Sequence, residues 1–337
     1  MRGDRVQLDH GSGGEASQEL VCDIFLRRLR NDYLEKMDDS ALVDLPGCRL
    51  AMTTDSYVVD PIFFPGGDIG ALAVHGTIND LSMQGARPMF LTLGLILEEG
   101  FALEDLKRVI DSVATASKEA DVKIVAGDTK VVPRGHADRI FINTAGIGIV
   151  PPGVRVGADN AQPGDVVIIN GTIGDHGLAV MTRREGLALE AEIHSDSAPL
   201  NALTEAALQA GGPGLHVLRD PTRGGVATAL NEIARLSGVR IELAEKDLPV
   251  APAVESACEL LGLDPLYVAN EGKCLLIAHP AGAPAVLEAL RGHPLGHGAR
   301  IIGKVRAARR PGVLLKTRVG GTRILSMLTG EQLPRIC

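Results

Sequence analysis

The sequence predicts an α/β (α+β) fold built from two domains, and three observations lead to that class. The chain has 337 residues, more than one ordinary hydrophobic core organises. Apolar runs of strand length alternate with stretches of helical periodicity from Ala41 onward. Turn-forming residues at Pro151-Pro152-Gly153 separate two such regions, so we place a domain boundary after Val150.

The first 150 residues divide into a polar segment and a domain of alternating elements. Residues 1–40 are rich in glycine and charge, contain one helical stretch at Gln18–Leu29, and are predicted to be flexible. Residues 41–150 form the predicted N-terminal domain. Its strands are predicted at Leu50–Thr53, Met89–Leu97, Ile124–Ala126 and Ile140–Ile149, and its helices at Gly70–Gln84 and Leu103–Ala120.

The remainder repeats this mixture and then changes in composition. Residues 151–317 form the predicted C-terminal domain, a mixed sheet with helices. Its strands are predicted at Val166–Ile169, near Ile241, at Leu275–Ala278 and at Ile301–Val305, and its helices at Leu178–Arg184, Leu200–Ala210, Val226–Leu236 and Ala285–Leu290. Beyond Thr317 the chain is rich in Gly, Thr and Arg. Residues 318–337 are therefore predicted to be a mobile tail rather than another core element.

Composition and charge argue against several classes of protein. The net charge of −8, the 3% aromatic content and the absence of Trp do not suit a nucleic-acid binder. The five cysteines form no C-x-x-C pair and leave one over, which fits a reducing compartment rather than a disulfide framework. No stretch approaches the roughly 18 apolar residues of a membrane span, and no signal region follows Met1. We expect a cytoplasmic protein.

The last residue of the sequence is a cysteine, Cys337. A thiol there has no following residue to pack, and its reactivity depends on pKa and access rather than on core packing. The position suits a thiol that must be presented to another molecule or group. Prenylation does not explain it, because that signal needs three residues after the Cys. A chance surface cysteine is the alternative.

Aspartates recur where predicted strands or helices begin or end. The set is Asp39, Asp55, Asp80, Asp128 and Asp220. Carboxylates at element ends can converge on one rim, and such hard oxygen ligands suit Mg²⁺ held with nucleotide phosphates. Capping of helices and turns is the alternative for any single aspartate. Five in this arrangement favour a metal–phosphate site.

Two further charged residues follow glycine-rich turns. Lys130 comes after Gly127-Asp128-Thr129 and is predicted to project towards the metal site, where it could hold negative charge. Glu271 lies in a turn before the strand at Leu275 and could act as a general base. The alternative for each is a solvated turn charge. No G-x-x-x-x-G-K-[ST] loop occurs, and the Gly-rich match at residues 11–16 lacks a preceding strand.

Taken in order, these motifs resemble the aminoimidazole ribonucleotide synthetase (PurM-like) superfamily. The motifs are Asp38-Asp39-Ser40-Ala41, Thr53-Thr54-Asp55, Asn79-Asp80-Leu81-Ser82-Met83-Gln84-Gly85-Ala86, Gly127-Asp128-Thr129 and Asp220-Pro221-Thr222-Arg223-Gly224-Gly225. Within it, the segments His10-Gly11-Ser12-Gly13-Gly14 and Pro334-Arg335-Ile336-Cys337 are similar to the carbamoyl dehydratase family of hydrogenase maturation. The resemblance implies a homodimer whose N-terminal sheets pair into a barrel-like core, with ATP near the domain and subunit interfaces.

The resemblance also implies a chemical role for each motif. Cys337 would receive a carbamoyl group from a HypF-type carbamoyltransferase, and ATP would drive its dehydration from thiocarboxamide to thiocyanate. The cyanide would then pass to the iron of a nickel–iron hydrogenase on a HypC–HypD scaffold. Magnesium would be held by Asp39, Asp80 and Asp220, and ATP by these with Thr54, Asp55, Asn79 and Asp128. Glu271 would take protons from the carbamoyl nitrogen, and Lys130 would stabilise charge on its oxygen.

Other functions remain open at this point. A selenophosphate synthetase or thiamine-phosphate kinase of the same superfamily is one alternative, although the former would carry a reactive residue where this chain has Ser12. A non-catalytic carrier of a modified thiol is another. If the tail moves, Gly320-Gly321 is predicted to be its hinge, since glycine tolerates the required torsions.

Overall fold

The computed structural model describes residue 10 and residues 14–187, 192–330 and 333–337. The Gly-rich match at residues 11–16 therefore lies partly outside the described residues. The chain starts with α1, Glu15–Leu20, which runs through a π-helical segment, Val21–Leu26, into α2, Arg27–Leu29. A 3₁₀ turn follows at Leu34–Lys36.

Residues 41–150 form a five-stranded sheet with two long helices. In chain order the elements are β1 Ala41–Leu45, β2 Cys48–Tyr57, the short pair β3 Phe63–Phe64 and β4 Gly67–Asp68, α3 Ile69–Met83, β5 Arg87–Glu98, α4 Leu103–Glu119, β6 Lys123–Val132 and β7 Ile140–Val150. The strand order is β1-β2-β7-β5-β6, with β5 and β6 parallel and the other neighbours antiparallel.

The two faces of this sheet differ sharply in burial. Helix α3 packs on one face, where the two-residue period of β2 buries Ala51 and Tyr57. The opposite face leaves large apolar side chains 36–59% exposed, on four of the five strands. They are Met52, Phe90, Ile96, Val125, Ile147 and Ile149. An apolar sheet face of this extent is typical of an interaction surface.

Residues 166–325 form a seven-stranded sheet with helices on both faces. Its elements are β8 Val166–Ile169, α5 Asp175–Glu185, α6 Asn201–Gly211, β9 Leu215–Arg219, α7 Gly225–Leu236, β10 Val239–Ala244, α8 Pro252–Leu261, β11 Leu275–Ala278, α9 Ala283–Arg291, β12 Arg300–Ala307, β13 Gly312–Lys316 and β14 Thr322–Leu325, with 3₁₀ turns at Gly212–Gly214, Glu245–Asp247, Pro265–Tyr267 and Pro294–Gly296. The strand order is β14-β13-β10-β12-β8-β11-β9, and only the β10–β13 pair is parallel.

Burial on both faces explains the continuous apolar strands of this domain. In β8, Val167 and Ile169 join the core under α7, while Val166 and Ile168 join the core under α6 and α9. All four residues of β8 are buried, as expected for a central strand covered on both sides.

Each predicted strand and helix is present, but one prediction about the chain's end is wrong. Beyond Thr317, β14 pairs antiparallel with β13, and Leu325 is 1% exposed within the core. Gly320-Gly321 is consequently the turn of this hairpin and not a hinge, with the Gly320 N–H donating to the Thr317 carbonyl at 3.0 Å. The Gly, Thr and Arg residues of this segment led to the prediction of a mobile tail, although it contains a short paired strand. None of the helices in the described ranges combines the length and hydrophobicity needed to cross a membrane.

Candidate active site

Three aspartates from distant parts of the chain meet between the two domains. Asp39 precedes β1, Asp80 lies in the last turn of α3, and Asp220 directly follows β9. One carboxylate oxygen of each lies within 4.8 Å of those of the other two. Thr53 on β2 fixes one of them, because its Oγ1 donates to Asp80 Oδ2 at 2.8 Å. The predicted convergence of carboxylates at element ends is therefore seen for these three residues.

The acidic cluster is electrostatically unfavourable by itself. Burial and then the charges of Asp220, Asp55 and Asp39 raise the pKa of Asp80 well above its ordinary value. Burial likewise raises the pKa of Asp39, against the opposing effect of Arg219. Burial raises the pKa of Asp220 to about 6. Such a site gains from a bound cation, which would neutralise the carboxylates together.

A divalent metal fits this donor set. Asp39 Oδ2 is buried without a hydrogen-bond partner among the described residues. Carboxylate oxygens are the ligands that Mg²⁺ prefers in proteins. The orphaned oxygen, the raised pKa values and the short separations all suit one small hard cation.

Arg219 is a buried counter-ion that sequence reasoning missed. Its guanidinium lies 2.7 Å from Asp39 Oδ1 and 2.7 Å from Glu232 Oε2, with its side chain 13% exposed. The residue stands one position before Asp220, in the strand β9. A basic residue next to a buried acid was the available signal, but nothing in the sequence indicated which acid it would pair with.

Glu271 lies buried at the contact between the domains. It is 3% exposed, and its Oε1 has no hydrogen-bond partner in the part of the chain that the structure describes. Burial raises the pKa of Glu271 well above its ordinary value, the charges of Asp220 and Asp55 add to this, and Arg223 opposes it. The Glu271 carboxyl group is thus held where a proton binds tightly.

The main chain around Glu271 is held by polar side chains from both domains. Asn79 of α3 donates to the Glu271 carbonyl at 3.0 Å, and its Oδ1 accepts from the Leu200 N–H at 2.8 Å. Asp196 accepts from the Glu271 N–H at 3.1 Å and forms an ion pair with Lys273 at 2.9 Å. Asn79, predicted to bind nucleotide, therefore uses its amide to position Glu271 and join the domains.

The end of the chain is docked inward, and Cys337 is only 9% exposed. It packs in an apolar cluster with Tyr57 and Ile336, and the Val58 N–H donates to its carbonyl at 3.1 Å. The side chain of Arg223, which is near Cys337, is exposed to solvent. The charges of Cys337, then of Asp55 and Glu271, raise the pKa of Arg223. Arg223 thus links the terminal residue electrostatically to the buried carboxylates.

Three predicted residues lie elsewhere in the single chain. Lys130 and Asp128 form an exposed ion pair at 2.7 Å on β6, the edge strand opposite β1. They pair in register with Ile96 and Gly94 of β5 and so share the exposed sheet face. Thr54 faces the same side, with its Oγ1 donating to the Thr144 carbonyl at 3.0 Å. The prediction that Lys130 projects towards the metal site does not hold within one chain, because Asp128 and Lys130 lie inside a strand and not at its end.

Asp55 occupies an intermediate position. It follows Thr54 on β2 and is half-buried on the opposite side of the strand. Its charge contributes to the raised pKa values of Asp80, Asp220 and Glu271. Asp55 therefore lies at the edge of the same acidic site.

Two family models together match most of this chain. The N-terminal domain of AIR synthase related protein matches residues 37–150, and the C-terminal domain of AIR synthase related protein matches residues 162–316. The fold and the buried acidic site thus define a two-domain protein of the AIR synthase related class.

Full-length relatives narrow this class. Carbamoyl dehydratase HypE of Azotobacter vinelandii is 52% identical over 337 residues, covering 100% of this chain and 98% of the relative. Carbamoyl dehydratase HypE of Escherichia coli (strain K12) is 48% identical, covering 98% and 99%. The chain belongs to the carbamoyl dehydratase HypE family. The family and the two-domain fold predicted from the motifs are confirmed.

Solved structures give the same result. A HypE–HypF complex matches with a TM-score of 0.88 and 51% identity, covering 92% of this chain and 99% of that one. HypE in complex with ATP matches with a TM-score of 0.83 and 52% identity, covering 99% and 100%. AaThiL complexed with AMPPCP and TMP has a TM-score of 0.70 at 21% identity, which shows a shared fold alone.

Proposed function

We propose that this protein dehydrates a carbamoyl group carried on the sulfur of Cys337, at the expense of ATP, to supply cyanide ligands for a nickel–iron hydrogenase. The predicted enzyme class, an ATP-dependent carbamoyl dehydratase, agrees with the names of its full-length relatives and with a HypE–ATP complex. The observation that carries the proposal is the inward docking of Cys337, whose charge, with those of Asp55 and Glu271, raises the pKa of Arg223.

The reaction requires a better leaving group than an amide oxygen. The carbamoyl oxygen attacks the γ-phosphorus of ATP, ADP leaves, and one proton is lost from nitrogen. The second N–H proton then leaves as the C–O bond breaks, phosphate departs with its oxygen, and a C≡N bond forms. The sum is loss of one water from the thiocarboxamide, with ATP converted to ADP and phosphate.

Glu271 is the proposed base for the carbamoyl nitrogen. A carboxylate in a buried, negatively charged environment binds a proton more strongly than one in water, and the pKa of Glu271 is raised for that reason. Asn79 and Asp196 hold its main chain from two sides, so the carboxyl group is positioned before the tail arrives. Arg223 lies where it can stabilise negative charge on the carbamoyl oxygen as phosphate forms and leaves.

Asp39, Asp80 and Asp220 would hold Mg²⁺, with Asp55 beside them at the nucleotide. The ion would neutralise the phosphoryl oxygens during transfer. Asp128 and Thr54, predicted to bind nucleotide, could contribute only through contacts made on the exposed sheet face.

A homodimer is proposed because of that same face. Pairing of two N-terminal sheets would cover six half-exposed apolar residues and would bury Lys130 at the subunit boundary. The role predicted for Lys130, holding charge on the carbamoyl oxygen, then depends on the assembled dimer.

An Ile96→Lys change should yield monomers in sedimentation velocity, while a change at an exposed residue away from the sheet, Leu260→Lys, should not. Dimers of unchanged affinity in Ile96→Lys would contradict this interface.

The proposed partners follow from the thiol chemistry. A HypF-type carbamoyltransferase would load Cys337, and the HypE–HypF complex is a close structural neighbour. A HypC–HypD iron scaffold would accept the cyanide. Both require Cys337 to leave its buried position.

The test is the mass of the C-terminal peptide after loading. Lys-C cleavage after Lys316 releases residues 317–337, in which Cys337 is the sole cysteine. We expect a carbamoyl adduct on Cys337 that loses water when Mg-ATP is added. Glu271→Gln should keep the adduct and slow this loss by about 100-fold or more, while the exposed Glu288→Gln should match the parent. An unmodified Cys337 with an active transferase would favour a small-molecule kinase or synthetase instead.

A further inference from the structure

The last four residues of the chain occupy a groove with two separate walls. One wall is the main chain of residues 58–60, just after β2. The Val58 N–H donates to the Cys337 carbonyl at 3.1 Å, and the Asp60 N–H donates to the Arg335 carbonyl at 3.2 Å. These alternating bonds resemble the addition of a short strand to a sheet edge. The other wall is helix α5 of the C-terminal domain.

Arg184, near the end of α5, joins the tail to both walls. Its Nη1 donates to the Pro334 carbonyl at 2.6 Å and its Nη2 to the Arg335 carbonyl at 2.6 Å. Its Nε donates to the Asp60 carbonyl at 2.7 Å. One guanidinium group thus holds two tail carbonyls and the opposite wall together. Its rigid fork of donors suits three acceptors that lie close to one another.

His176, at the start of α5, fixes the residue next to Cys337. Its Nε2 lies 2.9 Å from the Ile336 carbonyl, and its Nδ1 lies 2.8 Å from Ser195 Oγ. Because a carbonyl only accepts, Nε2 carries the hydrogen, and in the neutral ring Nδ1 accepts from Ser195. The edge-to-face contact with Phe64, 5.5 Å between centroids, holds the ring in place.

The docked tail also carries backbone strain. Arg335 has a φ of 53°, in the left-handed region that non-glycine residues seldom occupy. Its side chain donates to the Val58 carbonyl at 2.9 Å and pairs with Asp138. A strained conformation persists only where surrounding contacts determine it. The tail is therefore poised to leave once some of these contacts are lost.

We propose that Arg184 and His176 are positioning residues that set the fraction of time Cys337 spends docked in the active site. Arg184 holds the tail in the groove, and His176 sets the depth of the last two residues. The consequence for catalysis rests on the proposed function, because loading needs an accessible thiol and dehydration needs a docked one. Docking itself does not depend on that function.

Opposite effects on the two half-reactions follow. A change that weakens docking without altering Glu271 or the acidic cluster raises the accessible fraction of the thiol. Loading by a carbamoyltransferase should then become faster, while the loss of water in a single turnover should become slower. A residue that only maintained the fold would slow both steps.

The experiment is alkylation of Cys337 by iodoacetamide in the full-length protein without nucleotide, read on the Lys-C peptide of residues 317–337. Reaction requires undocking, so its rate follows the undocked fraction when docking is fast. Loss of two charge-assisted hydrogen bonds should accelerate labelling about tenfold or more in Arg184→Ala. Arg184→Lys should give an intermediate rate. The neighbouring exposed residue provides the control, since Arg183→Ala should label as the parent does.

Two further variants guard against a folding defect. His176→Phe keeps a ring against Phe64 but cannot donate to Ile336, and should also label faster. Asp138→Ala removes a half-exposed partner of Arg335 and should give a smaller increase. Thermal unfolding and ATP binding serve as checks of the fold.

Labelling of Arg184→Ala and His176→Phe at the parent rate, in folded protein, would overturn the proposal. Faster labelling together with faster loading and slower dehydration would support it. The variants could label faster while the parent protein never loses water from a carbamoylated Cys337. That result would support docking of the tail by α5 and refute the dehydratase function.

Discussion

Replacing Asp80 by Asn should make the protein more stable without metal and unable to gain stability from Mg-ATP. The charges that act on Asp80 are those of Asp220, Asp55 and Asp39, all of which raise its pKa. Asparagine removes one charge but keeps an oxygen that can accept from Thr53 Oγ1 as Asp80 Oδ2 does. The substitution therefore removes repulsion and leaves the hydrogen bond in place.

The size of the effect follows from the separations in the cluster. Two unit charges 4.8 Å apart repel by about 3 kcal/mol at an effective dielectric constant near 20. Proton uptake limits the total, because protonating one ordinary carboxyl group near pH 7 costs only about 4 kcal/mol. We expect a gain of about 2–4 kcal/mol, which for a chain of this size raises Tm by about 3–6 °C.

Asp39→Asn is the matched control, since it removes a charge from the same cluster. Asp39 is ion-paired with Arg219 at 2.7 Å, so loss of that pair offsets the relief of repulsion. Thermal unfolding in EDTA, then with Mg-ATP, separates the two variants. We expect only Asp80→Asn to be stabilised in EDTA, and neither to show the parent's Mg-ATP shift. Destabilisation of Asp80→Asn in EDTA with a full Mg-ATP shift would refute this account of the cluster.

Two more predictions concern the surroundings of the site. Burial lowers the pKa of His75 from 6.5 to about 4, so the unfolded chain binds the proton between these values and stability falls as pH drops through them. Between pH 7 and pH 4.5, His75→Gln should reduce this loss in the free energy of unfolding by about 2–3 kcal/mol, as measured by urea unfolding. An unchanged pH dependence would contradict this prediction. A Cβ on Gly272 would lie 1.7 Å from the Asp196 carbonyl oxygen, so Gly272→Ala should cost about 1–3 kcal/mol and impair dehydration. Gly282→Ala, with its nearest contact at 3.7 Å, should do neither, and equal behaviour of the two would exclude the clash.

Periodicity predicted the elements well because each is buried on a regular face. The alternation of β2 and the continuous apolar run of β8 both match the burial observed. Helix α8 was missed although it is one residue longer than the predicted α9, and strands β13 and β14 were missed as well. Strand β14 contains Thr and Arg, which obscure its period. The two-residue alternation of a strand also does not show which of its two faces is buried. Lys130 and Asp128 therefore could not be assigned to the exposed face without the pairing of β6 with β5.

Long-range contacts were the other part that the sequence could not supply. The docking of Cys337 depends on Val58, His176 and Arg184, which are far from it along the chain. Arg219 likewise finds Asp39 only through the fold. Motifs could indicate that carboxylates converge, whereas partners of single basic residues follow from tertiary packing.

The anchor of the tail determines how far Cys337 can travel. Both main-chain polar groups of Leu328 are hydrogen-bonded. Its N–H lies 3.4 Å from Thr228 Oγ1, and its carbonyl accepts from the Glu15 N–H at 3.0 Å. The residues after it reach about 30 Å when fully extended. Cys337 can therefore leave the groove without unpairing β14, and a tether of this length keeps its local concentration near the site at about the millimolar level. A partner's active site must come within that radius of Leu328, so release from α5, rather than unfolding of the sheet, is the step that exposes the thiol.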